Sequence, residues 1–313
     1  MKVGLLGNIK DNIINEIESF GYKVDKITKD DIKNNNYSKD YDILCGSMLF
    51  KKIKLDEFKN LKYIFLFSQG IDYMPLNYIK ENNIIMTNNK GAYAEPIGEF
   101  IVYSLLAMEK FAYLNLENQK LKKWAPRSKS GDLYNKKILF LGTGDISSEA
   151  AKRLQGFDMK IAGYNTNGRN VKYFDYCVDE AHLDKELENC DYLVMVLPST
   201  EKTMKFMNER RFSILKEGVK FINVARGDVV DEEALIKYLK NGKISSAALD
   251  VFEKEPLSQD NPLWEMENVY ITPHISGVSE DNEERFTRNV MLNLKNLSEG
   301  KEIVNLVNLD RKY

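Results

Sequence analysis

The stretch Lys136-Lys137-Ile138-Leu139-Phe140-Leu141-Gly142-Thr143-Gly144-Asp145-Ile146-Ser147-Ser148-Glu149-Ala150-Ala151-Lys152-Arg153-Leu154 reads as a buried strand, a glycine turn and a helix in immediate succession. A short apolar run ending in Gly-x-Gly opens a βα unit whose glycines let backbone N–H groups approach a diphosphate. The helix N-terminus behind them favours negative charge. Gly142, Thr143, Gly144, Asp145 and Ile146 are therefore candidate nucleotide contacts. The usual fingerprint is Gly-x-Gly-x-x-Gly, and Ser147 stands where its third glycine would be. That glycine mainly permits close helix–strand packing, so a serine predicts a slightly wider contact with the diphosphate role intact. An ordinary tight turn in an α/β protein is the competing reading, and the surrounding sequence decides between them.

Working outward, 313 residues are too many for one ordinary core and predict two domains with a cleft between them. Basic and acidic residues nearly balance, 45 against 47, and are scattered. Neither a basic face nor an acidic tail argues for nucleic acid or a membrane, so a small-molecule partner is expected. The three cysteines, Cys45, Cys177 and Cys190, are too few and too far apart for a disulfide framework or a Cys-x-x-Cys metal site. An odd count fits a reducing compartment, and no metal site is expected. Met1 to Asn8 reads as a strand and not as a signal peptide, and Phe100 to Met108, bracketed by Glu99 and Glu109, is too short to span a bilayer. These features predict a soluble cytoplasmic protein.

Before the glycine turn, apolar runs at Val3–Leu6, Tyr22–Ile27, Tyr41–Cys45, Tyr63–Phe67 and Ile84–Thr87 alternate with amphipathic segments such as Ile13–Phe20. Strands alternating with helices indicate a parallel sheet. The turn Ser68-Gln69-Gly70-Ile71-Asp72 leaves one of those strands at the end where such sheets bind ligands. From Glu95, with Pro96 at a first helical position, apolar residues recur at helical spacing and predict a long helix crossing between domains. Gln119 to Asn135 reads as an extended connection. After the glycine turn come strands at Met159–Tyr164, Tyr192–Leu197, Phe221–Val224, Ser246–Leu249 and Val269–Ile271, making a six-strand doubly wound pattern with Ile138–Leu141. A helix over roughly Glu280 to Leu297 then returns the chain to the first domain. The predicted class is α/β, with two doubly wound parallel-sheet domains. A flavodoxin-like substrate domain takes residues 1–95 plus 281–313, and a Rossmann dinucleotide-binding domain takes residues 96–280.

Three further stretches carry chemistry: Asn223-Val224-Ala225-Arg226-Gly227, Leu249-Asp250-Val251-Phe252-Glu253-Lys254-Glu255-Pro256 and Thr272-Pro273-His274-Ile275-Ser276-Gly277. Together with the glycine turn, these motifs resemble the D-isomer-specific 2-hydroxyacid dehydrogenases, and the resemblance extends over Ser68–Asp72, the Gln119/Trp124 region and Leu197–Thr203. The physical reading of the residues agrees with it: reducing a 2-keto acid needs a cation for the carboxylate and carbonyl, an acid to protonate the oxygen, and a group that keeps that acid charged. Arg226, His274 and Glu255 supply those three, with Glu253 as the competing carboxylate and His182, in a charged stretch, as the other histidine.

That resemblance implies hydride transfer between a nicotinamide and C2 of a D-2-hydroxy acid or 2-keto acid, of glyoxylate/hydroxypyruvate, branched or 3-phosphoglycerate type. It implies His274 as acid/base, Glu255 as its hydrogen-bond partner raising its pKa, and Arg226 with His274, Gln69, Gly70 and Ile71 at the substrate. It further implies dinucleotide contacts from Leu197, Pro198, Thr203, Val224, Ala225, Asp250 and Gly277, with Asp250 at the carboxamide, and a homodimer. Non-catalytic corepressors that sense dinucleotides on the same fold are the alternative; a Rossmann methyltransferase would explain neither the arginine nor the histidine stretch. For the cofactor, NADP or NAD, the strand ending at Tyr164 is followed by Asn165-Thr166-Asn167-Gly168-Arg169, with no acid to repel a 2′-phosphate. Asn165 and Thr166 can donate to phosphate oxygens and Arg169 can supply charge, which favours NADP. The competing reading is a permissive NAD site in which Asn165 serves the ribose.

Overall fold

The computed structural model describes residues 1–127, 129–280 and 282–310. The chain divides into two compact units, Met1–Tyr93 with the C-terminal stretch from Ser279, and Ala94–Val278.

In the first unit, β1 (Lys2–Leu6), β2 (Lys23–Ile27), β3 (Ile43–Gly46), β4 (Tyr63–Leu66) and β5 (Ile85–Thr87) form one parallel sheet in the order β2-β1-β3-β4-β5. Both faces are apolar, as a parallel sheet covered by helices requires. Val3, Leu5, Ile43, Cys45 and Phe65 pack on one side with Ile13 and Ile17 of α1 (Asp11–Ser19) and with Val290 and Leu294 of the last helix. Leu6, Leu44, Ile64 and Leu66, one residue out of phase, pack on the other. The period-2 alternation of each strand thus feeds two cores at once. Helices α2 (Lys29–Lys33) and α3 (Leu76–Glu81) complete the first run, and the C-terminal helix is α10 (Asn282–Ser298).

The sheet of the second unit departs from the expected pattern in one strand. Strands β6 (Lys137–Leu141), β7 (Lys160–Tyr164), β8 (Tyr176–Val178), β9 (Tyr192–Met195), β10 (Val219–Asn223), β11 (Ile244–Leu249) and β12 (Val269–Ile271) form a seven-stranded parallel sheet, not a six-stranded one. The missed strand is β8. It is three residues long, half-buried throughout and pairs only with β7, so it carries no apolar run to announce it. With it, the order β12-β11-β10-β9-β6-β7-β8 contains the doubly wound arrangement in which strand order reverses between β6 and β9.

The long helix starts at Ala94, which makes Pro96 its third residue, and it is two helices. Phe111, in a left-handed conformation, separates α4 (Ala94–Glu109) from α5 (Ala112–Lys120), so helix continues into the segment expected to be extended. α6 (Asp145–Leu154) follows the glycine turn and packs on α4, where a Cβ at Gly98 would come 3.1 Å from the Ala150 backbone nitrogen. α7 (Glu180–Leu187), α8 (Glu209–Ser213) and α9 (Glu232–Lys240) cover the rest. No helix among the described residues is long and apolar enough to cross a membrane.

Candidate active site

Because every strand of the second unit runs parallel, the turns that leave them emerge at one edge of the sheet. Gly142 follows β6, Asn165 follows β7, Leu197 lies beyond β9, Val224–Arg226 follow β10, Asp250 follows β11 and His274 lies beyond β12. The carboxyl edge at the point of strand reversal is where doubly wound sheets take ligands.

Two glycines shape the turn after β6. Gly142 has φ +107°, and a Cβ there would lie 3.0 Å from the Val196 carbonyl oxygen, so only glycine suits. Gly144 is the N-cap of α6, and a Cβ placed on it meets no atom within 4 Å. The first turn of α6, with its outward N–H donors, therefore opens onto free space, and the site fits an anionic diphosphate. Ser147 is fully buried and its hydroxyl donates to the Gly142 carbonyl at 2.6 Å. The third position of the motif is thus filled by a side chain that ties helix to turn.

In the turn after β7 the side chain of Asn165 faces inward. Asn165 is buried, and its amide is spent on the protein: Nδ2 donates to Thr143 Oγ1 (3.1 Å) and to the Arg169 carbonyl (2.9 Å), while Oδ1 accepts from the Arg169 N–H (3.0 Å). It shapes the turn, an Asx-type role, whereas Thr166 and Arg169 are exposed. An acid is also present, in space if not in sequence. A Cβ at Gly168 would lie 3.6 Å from Asp179 Cβ, because β8 delivers Asp179 beside this turn. Asp179 pairs with His182 Nδ1 at 2.7 Å, and that bond holds its carboxyl below its ordinary value. Further along the edge, the Thr203 hydroxyl donates to the Pro198 carbonyl at 2.6 Å and accepts the Thr200 N–H at 2.8 Å, closing the turn that carries Leu197 and Pro198.

Arg226 leaves β10 half-buried, its Nη1 donating to the Ala225 carbonyl at 2.7 Å. Asn223, absent from the expected set, holds this turn by accepting the Ala225 N–H and donating to the Arg226 carbonyl, both at 3.1 Å. A buried asparagine closing an apolar strand is the sequence signal that could have found it. Gly227 is needed for close approach and not for a turn: a Cβ there would fall 1.8 Å from the Phe252 carbonyl carbon. That contact sets the arginine turn directly against the segment bearing Glu255.

Glu255 Oε1 accepts the Phe252 N–H (3.1 Å) and Oε2 lies 2.8 Å from His274 Nδ1. An ionised carboxylate only accepts, so the Nδ1 hydrogen points at Glu255 and Nε2 is the ring atom left for other chemistry. The imidazole is 47% exposed and so open to a reactant. Glu253, the competing carboxylate, lies 3.8 Å from Lys205 Nζ instead. His274 has φ +57°, and its N–H is held by the Asp250 and Thr272 carbonyls. Asp250, expected at the carboxamide, is 1% exposed and spends its carboxylate on this turn. Oδ1 accepts from Thr272 Oγ1 (2.6 Å) and the Ile275 N–H (2.8 Å), and Oδ2 from the Ser276 N–H (2.9 Å), just before Gly277.

Gln69, Gly70 and Ile71 belong to the first unit, in the turn leaving β4. Among the described residues no group of three or more His, Cys, Asp and Glu side chains could hold a metal ion.

The model of the D-isomer specific 2-hydroxyacid dehydrogenase NAD binding domain matches residues 102–276, the stretch that contains the whole parallel edge just described. A glyoxylate reductase of Thermofilum pendens is 34% identical over 293 residues, covering 90% of this chain and 85% of its own. A hydroxypyruvate reductase of Thermotoga maritima is 33% identical over 230 residues, covering 72% and 74%. Among solved structures, a D-isomer specific 2-hydroxyacid dehydrogenase family protein from Aeromonas salmonicida superposes with a TM-score of 0.87 at 26% identity, covering 99% of each chain. With the glycine turn, the strand order and the histidine–carboxylate pair in place, the chain belongs to the D-isomer specific 2-hydroxyacid dehydrogenase family.

Proposed function

We propose that this enzyme reduces a short 2-keto acid of the glyoxylate or hydroxypyruvate kind to the D-2-hydroxy acid, with His274 as the proton donor. The observation that carries the reading is the 2.8 Å contact between His274 Nδ1 and Glu255 Oε2, at the same sheet edge as the open N-terminus of α6. Bound through the α6 N-terminus, a reduced nicotinamide dinucleotide supplies the hydride that adds to substrate C2. The protein does the rest. Arg226 offers a planar fork to the substrate's carboxylate and carbonyl oxygen. His274 gives its Nε2 proton to that oxygen as the carbonyl becomes an alkoxide, and Glu255 stabilises the ring through Nδ1 and fixes its tautomer. The names of the relatives support the substrate kind, since both reductases act on short 2-keto acids.

For the dinucleotide, exposed Thr166 and Arg169 beside the ribose turn favour NADPH over NADH, and Asp179 opposes them with a charge shared by His182. Steady-state kinetics on a panel of 2-keto acids with both reduced cofactors test the reading. The expected result is turnover of glyoxylate or hydroxypyruvate with the higher kcat/KM for NADPH. Dinucleotide binding without turnover of any keto acid would instead identify a sensor. A clear advantage for NADH would reject the preference.

A further inference from the structure

The chain leaving β9 passes directly against the glycine turn: a Cβ at Gly142 would lie 3.0 Å from the Val196 carbonyl oxygen and 3.4 Å from the Leu197 nitrogen. Further on, the same segment is laid alongside the residues that follow Arg226. The Lys205 N–H donates to the Asp228 carbonyl (2.8 Å), the Met207 N–H to the Val229 carbonyl (3.1 Å) and the Asp231 N–H to the Met207 carbonyl (2.9 Å), with Met207 and Val230 paired in a parallel bridge. A side-chain bond reaches beyond this ladder. Ser199 Oγ donates to Asp228 Oδ2 at 2.6 Å, the length of a hydroxyl bound to a carboxylate. It joins the turn beside the glycines to the turn that carries Arg226, and both lie within the second unit.

Stability does not explain that bond. The backbone ladder already holds the two segments together, and Asp228 Oδ1 is buried while accepting no hydrogen bond among the described residues. A carboxylate oxygen shut away from water without a donor costs free energy, so an alanine would serve the ladder at least as well. We propose that Asp228 and Ser199 are positioning residues that act through Arg226: their bond fixes the backbone that follows the arginine, as Asn223 fixes the backbone that precedes it, and so holds the guanidinium fork where the substrate carboxylate is taken. The inference rests on the reading of a 2-keto acid as substrate. The lever between Asp228 and Arg226 is short and stiff. Arg226 is extended (φ −144°), the turn Gly227–Val229 begins immediately after it, and Gly227, the residue between, is pressed against the Phe252 carbonyl.

The test is Asp228→Ala, read as KM against kcat for glyoxylate or hydroxypyruvate with NADPH, beside the urea midpoint of the same protein. Loss of a residue that places the arginine raises keto-acid KM about tenfold with a much smaller change in kcat, and the midpoint does not fall. Asp228→Asn, whose amide oxygen still accepts the Ser199 hydroxyl, keeps KM within about threefold of the parent. The double variant Ser199→Ala/Asp228→Ala raises KM no further than Asp228→Ala alone, as the two ends of one bond require. Ser199→Ala carries the test should Asp228→Ala fail to fold. A KM within about twofold of the parent in the folded variant overturns the inference. So do effects of the two single variants that multiply in the double, and so does a rise in KM that comes with a lowered urea midpoint, the mark of a merely structural role. A parent protein that binds dinucleotide but reduces no keto acid overturns the functional reading first, and this inference with it.

Discussion

His274 sits in the left-handed region, a conformation that costs a non-glycine residue on the order of 1–3 kcal/mol unless its surroundings impose it. Asp250 imposes it: three donors on one buried carboxylate fix the backbone on both sides of the histidine. Asp250, which the resemblance assigns to the cofactor, thus also anchors the turn that carries His274. Gly227 is the second residue on which the site turns. Its hydrogen lies where any Cβ would overlap the Phe252 carbonyl group, and backbone on that side cannot rotate out of the way as a side chain would. Gly227→Ala is expected to destabilise by about 3 kcal/mol, the upper end of the overpacking range. It should also displace Arg226 and raise keto-acid KM. Urea unfolding reads the first effect and steady-state kinetics the second; an unchanged midpoint would show that the two turns are not in contact.

Strand β8 changes the cofactor argument although it is only three residues long. Counting along the chain from the glycine turn finds no acid near the ribose, but β8 pairs with β7 and delivers Asp179 to the same turn. If the dinucleotide binds as proposed, selection at the 2′-position becomes a balance between exposed Arg169 and half-buried Asp179, so each substitution is worth about 1 kcal/mol or less. Arg169→Ala should lower the NADPH-to-NADH ratio of kcat/KM several-fold and Asp179→Asn should raise it by a similar factor. A ratio unmoved by either would take this turn out of cofactor selection. The same strand shows where sequence reading runs out. Long apolar strands such as Ile138–Leu141 and helices with clear periodicity were legible, because burial on both faces writes itself into composition. Half-buried Tyr176-Cys177-Val178 was not, since edge pairing leaves no apolar signature. At the candidate site, Arg226, Glu255 and His274 could be named from residue type and motif, and the Glu255–His274 contact is present at 2.8 Å; their roles belong to the proposed function. Asn223 and the amide of Asn165 act through backbone carbonyls and N–H groups that a sequence does not display.

At the scale of the whole molecule, the α4–α5 stretch and the segment after it leave large apolar side chains in water: Tyr103, Leu116, Leu121 and Trp124, the last 92% exposed. Such a run fits a self-complementary surface on a symmetric dimer, and a homodimer is therefore expected. Light scattering at micromolar concentration should return twice the 36.2 kDa chain mass; the chain mass itself would refute the dimer. Whatever its assembly, the proposed chemistry stands on one pair of side chains, and the most direct test compares the parent with His274→Gln in the reduction of glyoxylate or hydroxypyruvate by NADPH, beside the dinucleotide dissociation constant. The account predicts that kcat falls by roughly two to four powers of ten while dinucleotide affinity stays within about twofold. A His274→Gln enzyme that turns over keto acid at the parent's rate would contradict it.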